Sequence, residues 1–385
     1  MRKICLIILL FIPIIVYAED IDLAQNAKSA ILMDASTGKV LYEKNADEPL
    51  APASMTKLAS MLIIMEAIDD GSLKLSDKVT ISKEAADMGG SQVFLEENEV
   101  YTVEQLLKSV AIASGNDAVV ALAEKIAGSQ EAFVQMINDR LREIGAINTT
   151  FLNAHGLDAA GHVSTAKDMA IIAYNLLKHP KILEYTSIYE EYLKKNDGSK
   201  TWLVNTNKLI RYYDGVDGLK TGYTSNAGYC LTATAKKKDL RLISVVMGEE
   251  TSEKRSADTV KLLNYGFNTF KLHTIKKNNE ILGKVRVERG KKDSAKIVLV
   301  EDATELLKNT DKVKEYTFNI KVGIIKAPVN KNDKIGTAEI IDQDGNIVDE
   351  VDLTVKESIK KANIFDYMLR NIKTITAGKE LIKQK

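Results

Sequence analysis

The apolar and polar positions of this chain change period several times. Two apolar runs, Ala30-Ile-Leu-Met-Asp34 and Lys39-Val-Leu-Tyr-Glu43, flank Ala35-Ser36-Thr37-Gly38 and predict a hairpin. Pro52 then bars helix from the residues before it, and the run Leu58 to Met65 predicts a helix that starts near Ser54 and ends near Asp69-Asp70-Gly71. Asp77 to Ile81 reads as a short strand and Met88-Gly89-Gly90-Ser91 as a loop. Helices are expected over 102–113, 117–127, 130–144 and 169–177. Thr102-Val-Glu-Gln105 has the form of a capping box, and Phe133, Met136, Ile137 and Leu141 recur at helical spacing. From Thr201 the alternation is strand-like, over 201–204, 216–223, 228–235 and 240–247, before a long helix at 252–270. Strands early and late with helices between them predict an α+β fold. The first hairpin and the late strands should share one mostly antiparallel sheet, with the helices as an insert.

After His273 the pattern shifts to short, polar-rich strands at 280–287, 296–300, 317–322 and 335–341, with an Asp344-Gly345 turn. Residues 273–356 are therefore expected to be a small β-rich domain, following a larger one at 19–272. Beyond it Ile359, Ala362, Phe365, Leu369, Ile372 and Ile375 recur at helical spacing among lysines. That predicts an amphipathic helix over 357–385, too polar to span a bilayer and suited to lie on a membrane surface.

Composition changes this picture little. The 385 residues are 45% hydrophobic and 28% charged, as in an ordinary globular protein, and their formal net charge is zero, so bulk electrostatics do not point to nucleic acid. The N-terminus matters more. Arg2 and Lys3, an apolar run to Val16 and the small-residue site Val16-Tyr17-Ala18 read as a secretory signal peptide over 1–18. Export implies an extracytoplasmic site of action. Cys5 lies within that segment, and Cys230 is left as a single expected core thiol. No Cys or His spacing suits a metal, and no cofactor is implied.

Candidate chemistry begins at Ser54-Met-Thr-Lys57. Residues at i and i+3 share a helix face, so a serine and a lysine would meet side by side as nucleophile and base. The same spacing also occurs at Ser36/Lys39, Ser164/Lys167 and Ser358/Lys361. What separates the Ser54 copy is Ser114-Gly-Asn116 between two expected helices, then Lys220-Thr-Gly222-Tyr223 on an expected strand. This ordered trio is the serine–lysine acyl-transfer pattern of β-lactamases and penicillin-binding proteins.

With Asp34-Ala-Ser-Thr-Gly-Lys-Val-Leu, His155-Gly-Leu-Asp158 and Asp217-Gly-Leu-Lys-Thr-Gly-Tyr-Thr224, the chain resembles the D-alanyl-D-alanine carboxypeptidases, low-molecular-mass penicillin-binding proteins. The resemblance implies a β-lactamase/transpeptidase-like domain and a serine hydrolase that trims peptidoglycan pentapeptides. It also implies acylation by β-lactams and attachment to the outer face of the cytoplasmic membrane through the tail. Ser54 would be the nucleophile, Lys57 the base and Ser114 a proton relay. Asn116 would hold Lys57 and the substrate backbone. Lys220 and Thr221 would bind the terminal carboxylate, and Gly222 would let substrate run beside the strand. The backbone amides of Ser54 and Tyr223 would form the oxyanion hole. Arg255 is a further carboxylate candidate, and Thr206 stands where some family members carry an arginine. His155 is expected to be structural, and His162, His179 and His273 to lie at the surface. An endopeptidase with the same site, a β-lactamase and a non-catalytic wall-binding protein are the alternatives. The Glu-x-x-Leu-Asn loop of a β-lactamase is missing from the sequence.

Overall fold

The computed structural model describes residues 22–368; the expected signal segment and positions 369–385 of the expected tail helix lie outside them. Strands β1 (Ser29–Asp34) and β2 (Val40–Lys44) form the predicted hairpin. They join β3 (Val216–Thr224), β4 (Gly228–Lys237) and β5 (Leu240–Glu249) in one sheet of order β2-β1-β5-β4-β3, antiparallel throughout. Strand β3 is an edge of that sheet, so one side of its backbone is open to an extended partner.

The intervening helices are α1 (Lys57–Asp69), α2 (Val103–Ala113), α3 (Asn116–Ala127), α4 (Gln130–Glu143) and α5 (Ala166–Leu176); α6 (Ser252–Thr269) follows the sheet. Period-two alternation sorts the two faces of β1. Ile31 and Met33 enter the core shared with α1 to α5, whereas Ala30 and Leu32 pack with Leu262 and Leu263 of α6. Each fully buried leucine or isoleucine contributes about 1.5–3 kcal/mol. Helix α1 lies at the centre of the larger core, and Lys57 through Met65 are all buried. A helix covered on every side has no polar stripe, and this is why its first residue, a lysine, is removed from water.

Several expectations need correction. Strand 201–204 does not join the main sheet. It pairs as Lys200–Val204 with Glu190–Lys194 in a separate hairpin, burying Leu193 and Leu203 and exposing Tyr192 and Trp202. Alternation specifies a half-buried strand and not its partner. Met136 is exposed, although Phe133, Ile137 and Leu141 of the same helix are buried.

In the C-terminal region β6 (Phe270–Lys276) follows directly from α6 and pairs with β9 (Ala303–Lys308). The other strands are β7 (Gly283–Glu288), β8 (Ser294–Leu299), β10 (Tyr316–Val322), β11 (Ile325–Lys326), β12 (Gly336–Asp342) and β13 (Ile347–Val355). They form a six-stranded sheet of order β10-β12-β13-β8-β7-β11. β6, β9, β11 and β13 have no counterpart among the expected strands. Ile359 and Ala362, read as part of a helix face, belong here instead: Ile359 bridges to Val329 and is buried with Val287, Val329 and Val355. Helical backbone is found at 364–368 and not from 357.

Candidate active site

Ser54 lies in a 3-10 turn, Ala53–Thr56, that runs into α1. Three neighbours pin this turn. Gly156 approaches so closely that a Cβ there would stand 1.9 Å from the Ala53 carbonyl oxygen. Gly222 of β3 is similar, with 2.6 Å to the Pro52 carbonyl. Its glycine is thus required for packing strand against nucleophile turn, a reason distinct from the expected passage of substrate. The third neighbour is His162. Its Nδ1 accepts the Leu152 amide at 3.0 Å, which leaves Nε2 to donate to Thr56 Oγ1 at 2.8 Å, and that hydroxyl donates to the Ala53 carbonyl at 2.8 Å. His162 is buried and stacks on Phe151, contrary to its reading as a surface residue. Burial holds its pKa down, to about 4. Its neighbours in sequence, Gly161 and Val163, carry no signal of this role.

Lys57 is fully buried, and its Nζ has three partners: Ser54 Oγ at 3.0 Å, Asn116 Oδ1 at 2.6 Å and the His155 carbonyl at 2.7 Å. Asn116 is fixed in this orientation because its Nδ2 donates to the Gly89 carbonyl at 2.6 Å. Two of the three partners can only accept. A neutral lysine would donate to those two and turn its lone pair to Ser54, the one partner with a proton to give. Desolvation favours that neutral form and the Lys220 cation adds to it, so Lys57 lies well below the ordinary lysine range despite Asp117 nearby. Asp117 itself is engaged by the Val93, Leu95 and Ala118 amides and secures the loop that carries Gly89.

Ser114 caps α2 with left-handed backbone, φ 64°, and its buried Oγ has no partner among the described residues. Lys220, on β3, is buried too; its Nζ donates to the Thr221 carbonyl at 2.9 Å. Burial and the Arg255 charge bring Lys220 down to about 7. Arg255, in the first turns of α6, is buried, and its Nε has no partner among the described residues. Thr221 Oγ1 donates to Thr206 Oγ1 at 2.7 Å. The Tyr223 ring is half exposed and packs on Tyr229 with 4.3 Å between centroids. His155 serves through its carbonyl, while its ring, pushed down to about 4 by burial and Lys57, accepts the Leu157 amide. Cys230 is buried and unpaired, as expected.

The expected residues thus fall into two groups. Ser54, Lys57 and Asn116 form one hydrogen-bonded unit. Lys220 and Arg255 extend it electrostatically, both buried on the side of β3. A buried serine–lysine pair beside an open sheet edge fits a serine acyl-transfer enzyme.

Comparison with known proteins gives the same class. Residues 17–251 match the D-alanyl-D-alanine carboxypeptidase family model, and residues 270–361 match the C-terminal domain of penicillin-binding protein 5. The chain belongs to the D-alanyl-D-alanine carboxypeptidase family and is a serine-type hydrolase of that kind. It is 47% identical to the D-alanyl-D-alanine carboxypeptidase DacF of Bacillus subtilis over 91% of this chain and 90% of the relative. The crystal structure of penicillin-binding protein 5 from Haemophilus influenzae superposes with a TM-score of 0.68 at 31% identity, covering 87% of this chain and 98% of the other. Penicillin-binding protein D2 from Listeria monocytogenes, solved in an ampicillin-bound form, is 33% identical with a TM-score of 0.57, covering 63% of this chain and 98% of that one.

Proposed function

We propose that this enzyme removes the terminal D-alanine of peptidoglycan pentapeptides through an ester on Ser54. The observation that carries the reading is the Lys57 hydrogen-bond set, in which Ser54 is the one partner with a proton to donate. Ser54 Oγ attacks the penultimate D-alanine carbonyl as its proton passes to Lys57 Nζ. The oxygen becomes an oxyanion that the Ser54 and Tyr223 amides hold. The C–N bond then breaks, and the leaving D-alanine nitrogen takes the proton held by Lys57, relayed through Ser114, which returns Lys57 to its neutral form. Water attacks the ester with Lys57 again as base, and Ser54 regains its proton.

Lys220, Thr221 and Arg255 suit the free carboxylate that marks the end of the substrate. Arg255 has a buried Nε with no partner among the described residues, while Thr221 Oγ1 donates to Thr206 and would have to turn its one proton to a carboxylate. Substrate backbone would lie along the open edge of β3, and Asn116 would hold Lys57 in register. A β-lactam presents a reactive amide beside a carboxylate, so it would acylate Ser54 in the same way; the ampicillin-bound Listeria relative supports this.

The sequence features at 1–18 support export, so the substrate would be met outside the cytoplasmic membrane, in a domain of residues 19–272 followed by the β-rich domain 273–356. Membrane attachment would fall to the segment after it. Among the described residues no helix is long and apolar enough to cross a membrane. Ile364, Phe365 and Met368 are all exposed, which favours a surface-lying anchor that begins near 364. The decisive assay is release of free D-alanine from a pentapeptide ending in D-Ala-D-Ala. Cross-linked fragments without D-alanine would mark an endopeptidase instead. Truncation after Asn363 tests the anchor: the shortened chain should bind membranes more weakly.

A further inference from the structure

Three lysines stand in register across three neighbouring strands of the β-rich domain. Lys284 on β7 is directly opposite Lys296 on β8. The Lys356 amide, just past β13, donates to the Lys296 carbonyl at 2.9 Å, continuing the register in which Ile297 opposes Val355. All three side chains are on the exposed face, while Ala295 and Ile297 between them turn into the core. Like charges directly opposite on adjacent strands oppose folding, so packing does not account for the row. One acid, Glu357, lines the same pocket as these lysines and offsets the row in part. Among the described residues Glu357 pairs with Lys292 at 2.7 Å, Lys356 Nζ donates to the Asn279 carbonyl at 3.2 Å, and neither Lys284 nor Lys296 has an ion-pair partner.

The row lines a pocket of about 210 Å³ whose apolar wall is Ile359. The pocket adjoins the proposed anchor. Asp366 pairs with Lys291 at 3.6 Å and the Ala362 amide donates to the Arg289 carbonyl, which seats 364–368 beside the β7–β8 turn. Exposed Ile364, Phe365 and Met368 are therefore tied to the turn whose Lys292 lines the pocket. Apolar side chains next to clustered lysines are what a bilayer interface with anionic lipid selects.

We infer that Lys284, Lys296 and Lys356 form a headgroup site that docks the β-rich domain onto an anionic phospholipid surface. This rests on the membrane reading above and adds a second contact, separate from the anchor, that fixes how the enzyme stands on the membrane.

The test is co-sedimentation of the purified full chain with vesicles of phosphatidylcholine alone or containing phosphatidylglycerol. Each lysine near an anionic surface is worth ~5-fold in partitioning, so K284Q/K296Q/K356Q should lose about 100-fold on phosphatidylglycerol vesicles. Its binding to phosphatidylcholine should not change, and K284R/K296R/K356R should bind as the parent does. Unchanged release of D-alanine from a soluble peptide verifies that the variant is folded. Equal binding of parent and glutamine variant to anionic vesicles overturns the proposal. So does lysine-dependent binding of inorganic phosphate with no lysine dependence on vesicles, which would assign the pocket to a soluble anion. Failure of the anchor is read separately, as unchanged membrane binding after truncation at Asn363.

Discussion

Lys57 Nζ stands 3.0 Å from Ser54 Oγ and 2.6 Å from Asn116 Oδ1, and the second contact governs the first. Asn116 is neutral and held by Gly89, so it orients the amine without adding negative charge that would keep it protonated. Asn116→Asp keeps the shape, adds a carboxylate beside Lys57 and gives up the donor to the Gly89 carbonyl. Lys57 should then hold its proton to higher pH. The acylation rate by fluorescent penicillin should fall about 10²–10³-fold at neutral pH, and its acid limb should move upward. An acid limb in its parental position would remove Asn116 from control of the base.

Lys220 gives the opposite limb. Burial and Arg255 bring it to about 7, and it must be charged to hold a carboxylate. In the free enzyme that charge is present below about pH 7 and lost above it, so kcat/KM should decline on the alkaline side. Lys220→Arg stays charged. The variant should flatten the alkaline limb whatever its absolute rate, and a limb that persists would belong to another group.

Gly222→Ala examines the contact between strand and turn. The added Cβ meets the Pro52 carbonyl at 2.6 Å, so β3 or the turn must move by several tenths of an ångström. A small shift of reacting groups costs rate as well as stability. We expect roughly 100-fold slower acylation with about 1–3 kcal/mol lost in urea unfolding. Normal acylation would show that the two elements slide without consequence.

His162 is neutral in the fold because burial lowers its pKa to about 4, against an unperturbed value of about 6.5. The unfolded state therefore takes up the proton first. Stability from this group is complete above about pH 6.5 and is lost as pH falls towards 4, by up to about 3 kcal/mol. His162→Gln should flatten unfolding free energy over that window. Because His162 also steadies Thr56 and Ala53, the same variant should lower the acylation rate without changing the position of its acid limb.

Much of this enzyme was legible in the sequence because its signals are local. The capping box at Thr102 and Gln105 forms as written, since three residues of helix bring both partners together. Ser54 and Lys57 likewise meet within one turn. His162 was not legible: its partner Thr56 is remote in the chain, and a histidine beside a glycine looks like any loop residue. Ile359 misled for a related reason. Apolar residues three apart fit a helix face, and the same residue fills the β-domain core once Val329 and Val355 are beside it.

The sequence by itself determined most elements of the catalytic domain, the trio of motifs and the family, all of which depend on short spacings and residue types. Tertiary structure alone decided the electrostatics. Lys57 and Lys220 are separated by most of the catalytic domain in sequence, and each is an ordinary lysine there. Only the enclosure of α1 on all sides and the packing of β3 against the nucleophile turn bring them together without water. Their shared burial is what lowers both lysines below their ordinary range, Lys57 furthest.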